Sequence, residues 1–236
     1  MMRRGFKWVI GLGAGALVIG LVALAQWLFW RSDSNDSIRQ YLSNPTTNAD
    51  LNSTALTRCG DAPFIIPSDG FIGLLWRDDA APYTPLRRHT GIDIFGGRAE
   101  GTVAIYAAYD GWLTRLDDWQ STIIIRHDDP LQEGRTIWTY YTHMASRDGQ
   151  RSFIVEDYPQ GTYAVPITQG TLIGYQGAYS PGLPVAIHLH MSIVTSNPDG
   201  SFRNEALLEN TLDPSPYFGI ELDVDQADER PVRCRE

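Results

Sequence analysis

Basic residues are scarce in this sequence, and their scarcity removes one class of partner. The chain has 19 lysines and arginines against 28 aspartates and glutamates, a formal charge of -9. Three of those bases, Arg3, Arg4 and Lys7, and none of the acids lie before residue 30; the chain after it therefore holds the other 16 bases against all 28 acids, a balance of -12. A body this acidic exerts no long-range attraction on phosphate backbones, so no nucleic-acid partner is expected. Helical periodicity is lacking too. Beyond residue 30 no long stretch repeats apolar residues at helical spacing, apart from a short piece at 205–210. There is no internal repeat. Cysteine is confined to Cys59 and Cys234, and histidine to five positions.

What is present favours β-structure. A length of 236 residues suits one domain with appendages and a sizeable core. The 22 glycines, 14 prolines, 11 tyrosines and 7 tryptophans fit short strands broken by many turns. Apolar runs predict strands at 71–76, 91–95, 103–109, 112–116, 122–126, 137–143, 172–175 and 187–194, and Asp110-Gly111 reads as a tight hairpin between two of them. The body is expected to be mainly antiparallel β.

The first 30 residues carry the expectation of compartment. Residues 8–30 form an uncharged apolar run of 23, about 35 Å long as a helix and sufficient for a ~30 Å hydrocarbon core. Trp8, Trp27 and Trp30 stand at its ends, where aromatic rings favour the membrane interface. The basic residues before it place 1–7 in the cytoplasm and the remainder outside, as a single-pass protein of the cell membrane. A cleaved signal peptide is the competing reading, since Ala23-Leu24-Ala25 resembles a cleavage site; the length of the run favours an anchor. Residues 31–58, rich in Ser, Asn, Asp and Thr, are expected to form a flexible tether, 59–222 the domain, and 223–236 a loosely held tail. Export also makes a Cys59–Cys234 disulfide plausible, one that ties the ends of the domain together.

Two histidine patterns stand out. In His89-Thr90-Gly91-Ile92-Asp93, an extended backbone turns His89, Gly91 and Asp93 to one face and Ile92 and Ile94 to the core; Gly91 would leave room for both polar groups to lean on one ion. In His188-Leu189-His190 both imidazoles share a face. Two imidazoles with a carboxylate suit zinc, leaving a fourth position for water. Spacing alone does not say whether His188 or His190 is the ligand.

These segments, with Tyr140-Tyr141-Thr142-His143-Met144, Tyr106–Gly111, Thr168–Gly177 and Leu212-Asp213-Pro214, occur in the order seen in the lysostaphin-type (LytM-like) zinc metallopeptidases, bacterial cell-wall endopeptidases that residues 70–218 resemble. The resemblance implies an antiparallel barrel-sandwich domain of the duplicated hybrid motif type. It implies one Zn2+ per chain on His89, Asp93 and His190, with His143 and His188 as catalytic histidines whose separate roles it leaves open. His127 falls outside the implied site and reads as a structural histidine at a strand end. The substrate implied is the peptide part of peptidoglycan; a silent wall-binding or hydrolase-activating module of the same fold is the alternative. The chain departs from the family's pattern at Val185-Ala186-Ile187, at Met144, at Met191-Ser192 and in a long 145–166 loop.

Overall fold

Alternation of apolar and polar residues builds the domain. In β9 (Leu189–Thr195), Leu189, Met191 and Ile193 enter the main core, while His190, Ser192 and Val194 face the other way. The same division runs through β2 (Ile92–Phe95), where Ile92 and Ile94 are core residues and Asp93 is not. It recurs in β5 (Ile123–Asp128) and β6 (Thr136–Thr142): Ile123, Ile125, Ile137 and Tyr141 point inward, and Ile124 and Trp138 outward. The structure is a computed structural model that describes residues 33–228 and 230–234.

These strands form a seven-stranded antiparallel sheet in the order β1-β2-β9-β6-β5-β4-β7, with β1 at Phe71–Leu74, β4 at Gly111–Thr114 and β7 at Val165–Ile167. A second sheet pairs β3 (Ala104–Tyr106) with β8 (Leu172–Tyr175). The main core draws on both sheets, Ile105 and Ile173 from the small one included. On the outer face Trp119, Tyr140 and Phe202 cover a smaller cluster of Ile124, Trp138 and Val194. The architecture is mainly antiparallel β, as expected.

Three expectations require correction. Asp110-Gly111 is not a hairpin, because β3 pairs with β8 and β4 with β5 and β7; the dipeptide carries the chain between sheets. Gly111 is required there by close approach, since a Cβ would overlap the Arg126 carbonyl. Residues 33–57 are not a free tether. Helix α1 (Asp33–Ser43) docks Ile38 and Tyr41 against Phe71, Leu74 and Phe95, and Ser53 bridges to Gly70 through the backbone. One helical turn's spacing between two apolar residues suffices to seat α1, although its overall composition is polar. The tail from 223 is likewise held: Asp223 is buried and paired with Arg77 at 3.0 Å, Asp225 pairs with Arg77 and Arg88 at 2.7 Å, and Arg230 reaches Asp78 at 3.3 Å. Residues 8–30 lie outside the described residues; among the described residues no helix is long and apolar enough to cross a membrane.

The Cys59–Cys234 disulfide is present, closing a separation of 175 residues with Cα atoms 5.3 Å apart. Closing so long a loop restricts the unfolded chain, and a bridge of this kind contributes ~2–5 kcal/mol. Replacing both cysteines with serine should lower the unfolding free energy in urea by about that amount. An unchanged value would mean that the ion pairs alone fasten the tail.

Candidate metal centre

Strand register brings the site together. Asp93 of β2 stands directly opposite His190 of β9, and Thr142 of β6 opposes His190 on its other side. Asp93 and His190 therefore project as cross-strand neighbours on the face away from the main core. His89 lies ahead of β2 rather than within it. Its backbone is fixed by bonds to Asp78 (2.8 Å) and Arg77 (2.9 Å), and its ring is fully buried. Gly91 has a different part from the one its sequence context suggests. A Cβ there would overlap the Met191 carbonyl and the Ser192 hydroxyl, so the glycine lets the chain press against β9 instead of clearing room between two side chains.

The donor atoms converge closely. His89 Nε2 lies 2.9 Å from His190 Nδ1 and 3.1 Å from Asp93 Oδ1, and His190 Nδ1 lies 2.8 Å from the same oxygen. Carbonyl partners fix the tautomer of His89: its Nδ1 is 2.9 Å from the Leu75 oxygen, which only accepts, so Nδ1 carries the proton and Nε2 offers a lone pair. On the far side of His190, Nε2 meets Ser192 Oγ at 2.9 Å and Glu205 Oε1 at 3.1 Å.

A buried carboxylate, Asp93, and a half-buried one, Glu205, therefore flank His190 and require positive charge nearby. Burial would raise Asp93, but the neighbouring His89 and His188 rings and the bond donated by His190 hold it well below the usual carboxylate range. Burial likewise opposes charge on His190, yet Asp93 and Glu205 push it up to about 10. Without a metal, a proton on His190 Nδ1 answers part of this demand. A divalent cation answers all of it, two charges for two carboxylates. Donor separations of 2.8–3.1 Å fall a few tenths short of the ~3.3 Å kept by tetrahedral donors about 2.0 Å from one ion. His89, Asp93 and His190 thus fit a zinc ion in chemistry, charge and spacing.

His143 and His188 adjoin this cluster without joining it. Their ring centroids are 4.3 Å apart, and His188 Nε2 lies 3.6 Å from Asp93 Oδ2. Both Nδ1 atoms face backbone oxygens, of Tyr179 at 2.7 Å and of Ala186 at 2.8 Å, so both Nε2 atoms are bare. Burial keeps both rings neutral, pushing His143 down to about 3 and lowering His188. His143 leaves β6 in a left-handed conformation with φ of 71°. That is an unfavourable choice for a non-glycine residue, and it occurs here where the ring borders a cleft.

His127 stands apart, as expected, between the Asp110 carbonyl at 2.6 Å and Thr139 Oγ1 at 2.7 Å. Burial lowers it to about 4. Of the residues flanking the motifs, Tyr141 is a core residue bonded to the Ala108 N–H, and Arg88 pairs with Asp225. Tyr83 and Glu205 were not legible as site residues. Tyr83 packs its ring 4.7 Å from that of His89, and Glu205 binds His190; Tyr83 comes from a loop, and Glu205 heads the 205–210 piece, whose apolar spacing does not mark its carboxylate. With Trp119, Tyr140 and Tyr179 they line an open groove of about 490 Å³ over His143 and His190.

Against known proteins, the chain matches no family model and no curated protein. Among solved structures it is similar to the catalytic domain of the antimicrobial peptidase lysostaphin from Staphylococcus simulans, at 18% identity over 64% of this chain and 89% of that one, with a TM-score of 0.38. It is also similar to the catalytic domain of a prophage-encoded M23 protein from Enterococcus faecalis, at 19% identity over 64% and 95%, with a TM-score of 0.37. A zinc-containing peptidase from Vibrio cholerae matches at 16% identity over 66% of this chain and 40% of that one, with a TM-score of 0.36.

Two substitutions separate structural from site residues. Changing His127 to Ala should cost ~1–3 kcal/mol by stranding the groups it satisfies, while leaving zinc uptake intact. Changing Gly91 to Val should force the chain off β9 and impair both folding stability and zinc uptake. Urea unfolding together with metal analysis distinguishes the two, and normal zinc uptake by the Gly91 variant would contradict the packing described.

Proposed function

We propose that this chain is a zinc-dependent endopeptidase that hydrolyses peptide bonds in bacterial peptidoglycan. It would act outside the cytoplasm, with residues 8–30 anchoring it in the membrane. The observation that carries the reading is the buried convergence of His89, Asp93 and His190 beside two neutral histidines with bare Nε2 atoms, at the edge of an open groove.

A bound zinc ion supplies a Lewis acid and brings the pKa of a water it carries down toward ~7. The chain supplies the rest. His89 and Asp93 approach from one segment and His190 from the neighbouring strand, so the sheet register sets the spacing of the donors before any ligand arrives. His143, half-buried on the groove wall, can accept a proton at Nε2 and return it to a leaving amine, because its Nδ1 proton is committed to Tyr179. His188 offers the same atom from a buried position next to Asp93, suited to holding a proton or donating to developing negative charge. The two are placed to divide acid and base roles; which takes which is left open. The aromatic groove walls of Tyr83, Trp119, Tyr140 and Tyr179 suit an extended peptide.

The purified full chain should carry about one zinc and clear peptidoglycan suspensions. Changing His190 to Ala should remove the metal. Changing His143 to Ala should keep the metal and lower the rate by ~10²–10⁴-fold, the usual share of a general acid or base. Full activity in both variants would refute the assignment.

A further inference from the structure

The loop that follows β9 brings one carboxylate back onto the site. Glu205 Oε1 is a meeting point for three donors: Thr90 Oγ1 at 2.8 Å, His190 Nε2 at 3.1 Å and Ser192 Oγ at 3.4 Å. Thr90 adjoins His89 in the chain, so a single oxygen ties together the segments that carry His89 and His190. The loop is itself fastened. Asn204 accepts from Ala206 N–H at 3.1 Å through its side chain and from Asn210 Nδ2 at 2.7 Å through its backbone, and Glu205 is mostly buried at 16% side-chain exposure.

We propose that Glu205 is a positioning residue of the metal centre, orienting His190 by accepting the Nε2–H hydrogen bond so that Nδ1 faces Asp93 and His89. The inference rests on the metal-binding reading above and adds to it a role for a residue that no motif marks. A carboxylate on the remote nitrogen of a ligating imidazole fixes its tautomer and ring angle and strengthens it as a donor. In this chain the position two residues beyond His190 is Ser192, whose hydroxyl reaches the same Nε2 at 2.9 Å but carries no charge. The charge comes from Glu205, 15 residues away.

Zinc affinity of the full chain, measured by competition with a chromogenic chelator, tests this without reference to activity. Glu205→Gln keeps shape and removes charge, and should weaken zinc binding by ~10–100-fold. Nitrogen chemical shifts of His190 in the zinc-loaded protein should show Nε2 protonated and Nδ1 ligated, with the Nε2–H signal altered in the variant. A second variant guards against a folding defect: Ser192→Asp combined with Glu205→Ala returns a carboxylate to Nε2 and should recover at least tenfold of the lost affinity. Equal zinc affinity in wild type and Glu205→Gln would overturn the inference and leave the metal centre standing. Absence of zinc from the wild type would instead overturn the function proposed above. Loss in Glu205→Ala without recovery in the double variant would show that the loop's shape matters rather than the carboxylate, and would also count against this role.

Discussion

Everything distinctive about this domain follows from a carboxylate placed where a sheet would ordinarily put an apolar side chain. Asp93 is buried between β1 and β9, and a charge so placed persists only if positive partners surround it. His190 supplies that positive charge, donating to Asp93 at 2.8 Å, while the neutral His89 and His188 rings border the carboxylate; all three are buried. The arrangement gains nothing from being a plain core, where apolar residues of the same volume would serve as well or better. A cluster kept at such cost is the kind of feature that functional sites retain. The ring tautomers of His89, His143 and His188 are set by ordinary backbone oxygens, those of Leu75, Tyr179 and Ala186.

The sheet makes this placement possible. The alternation that sends Leu189, Met191 and Ile193 into the core also sends His190 and Ser192 to the outer face, and the pairing of Asp93 with His190 fixes their separation. A slip of one residue in the β2–β9 register would turn one of the two side chains into the core and part it from the other, so packing enforces the site. The disulfide and the ion pairs of Asp223 and Asp225 act at a distance from it. They tie down the tail along the segment that carries Arg77 and Arg88, just ahead of His89.

Most of the site could be read from the sequence because strand periodicity is short-range. Strand periodicity marks Asp93 and the His-x-His pair, whereas His89 lies ahead of β2 and the choice of His190 as ligand and the inclusion of His143 rest on the family resemblance. Tyr83 and Glu205 could not be read, since loops bring them in and loop geometry has no period. The fold was legible to a similar degree. Eight of the nine strands among the described residues were anticipated, most with shifted ends; β7 was missed because Val165-Pro166-Ile167 contains a proline, which is tolerable only because β7 is an edge strand of the large sheet. The docking of α1 was hidden by polar composition, since two apolar residues on one helix face are enough to seat it. Asp110-Gly111 misled for a related reason: the dipeptide signals a turn, but it is tertiary pairing that decides whether the two flanking strands become neighbours.

The central claim, that one ion is held by His89, Asp93 and His190, is tested most directly by anomalous diffraction at the zinc edge from crystals grown with the metal. The account predicts a single strong peak equidistant from His89 Nε2, His190 Nδ1 and an Asp93 carboxylate oxygen, at ~2.0–2.2 Å from each. A peak between His143 and His188, or one only among surface carboxylates, would contradict it.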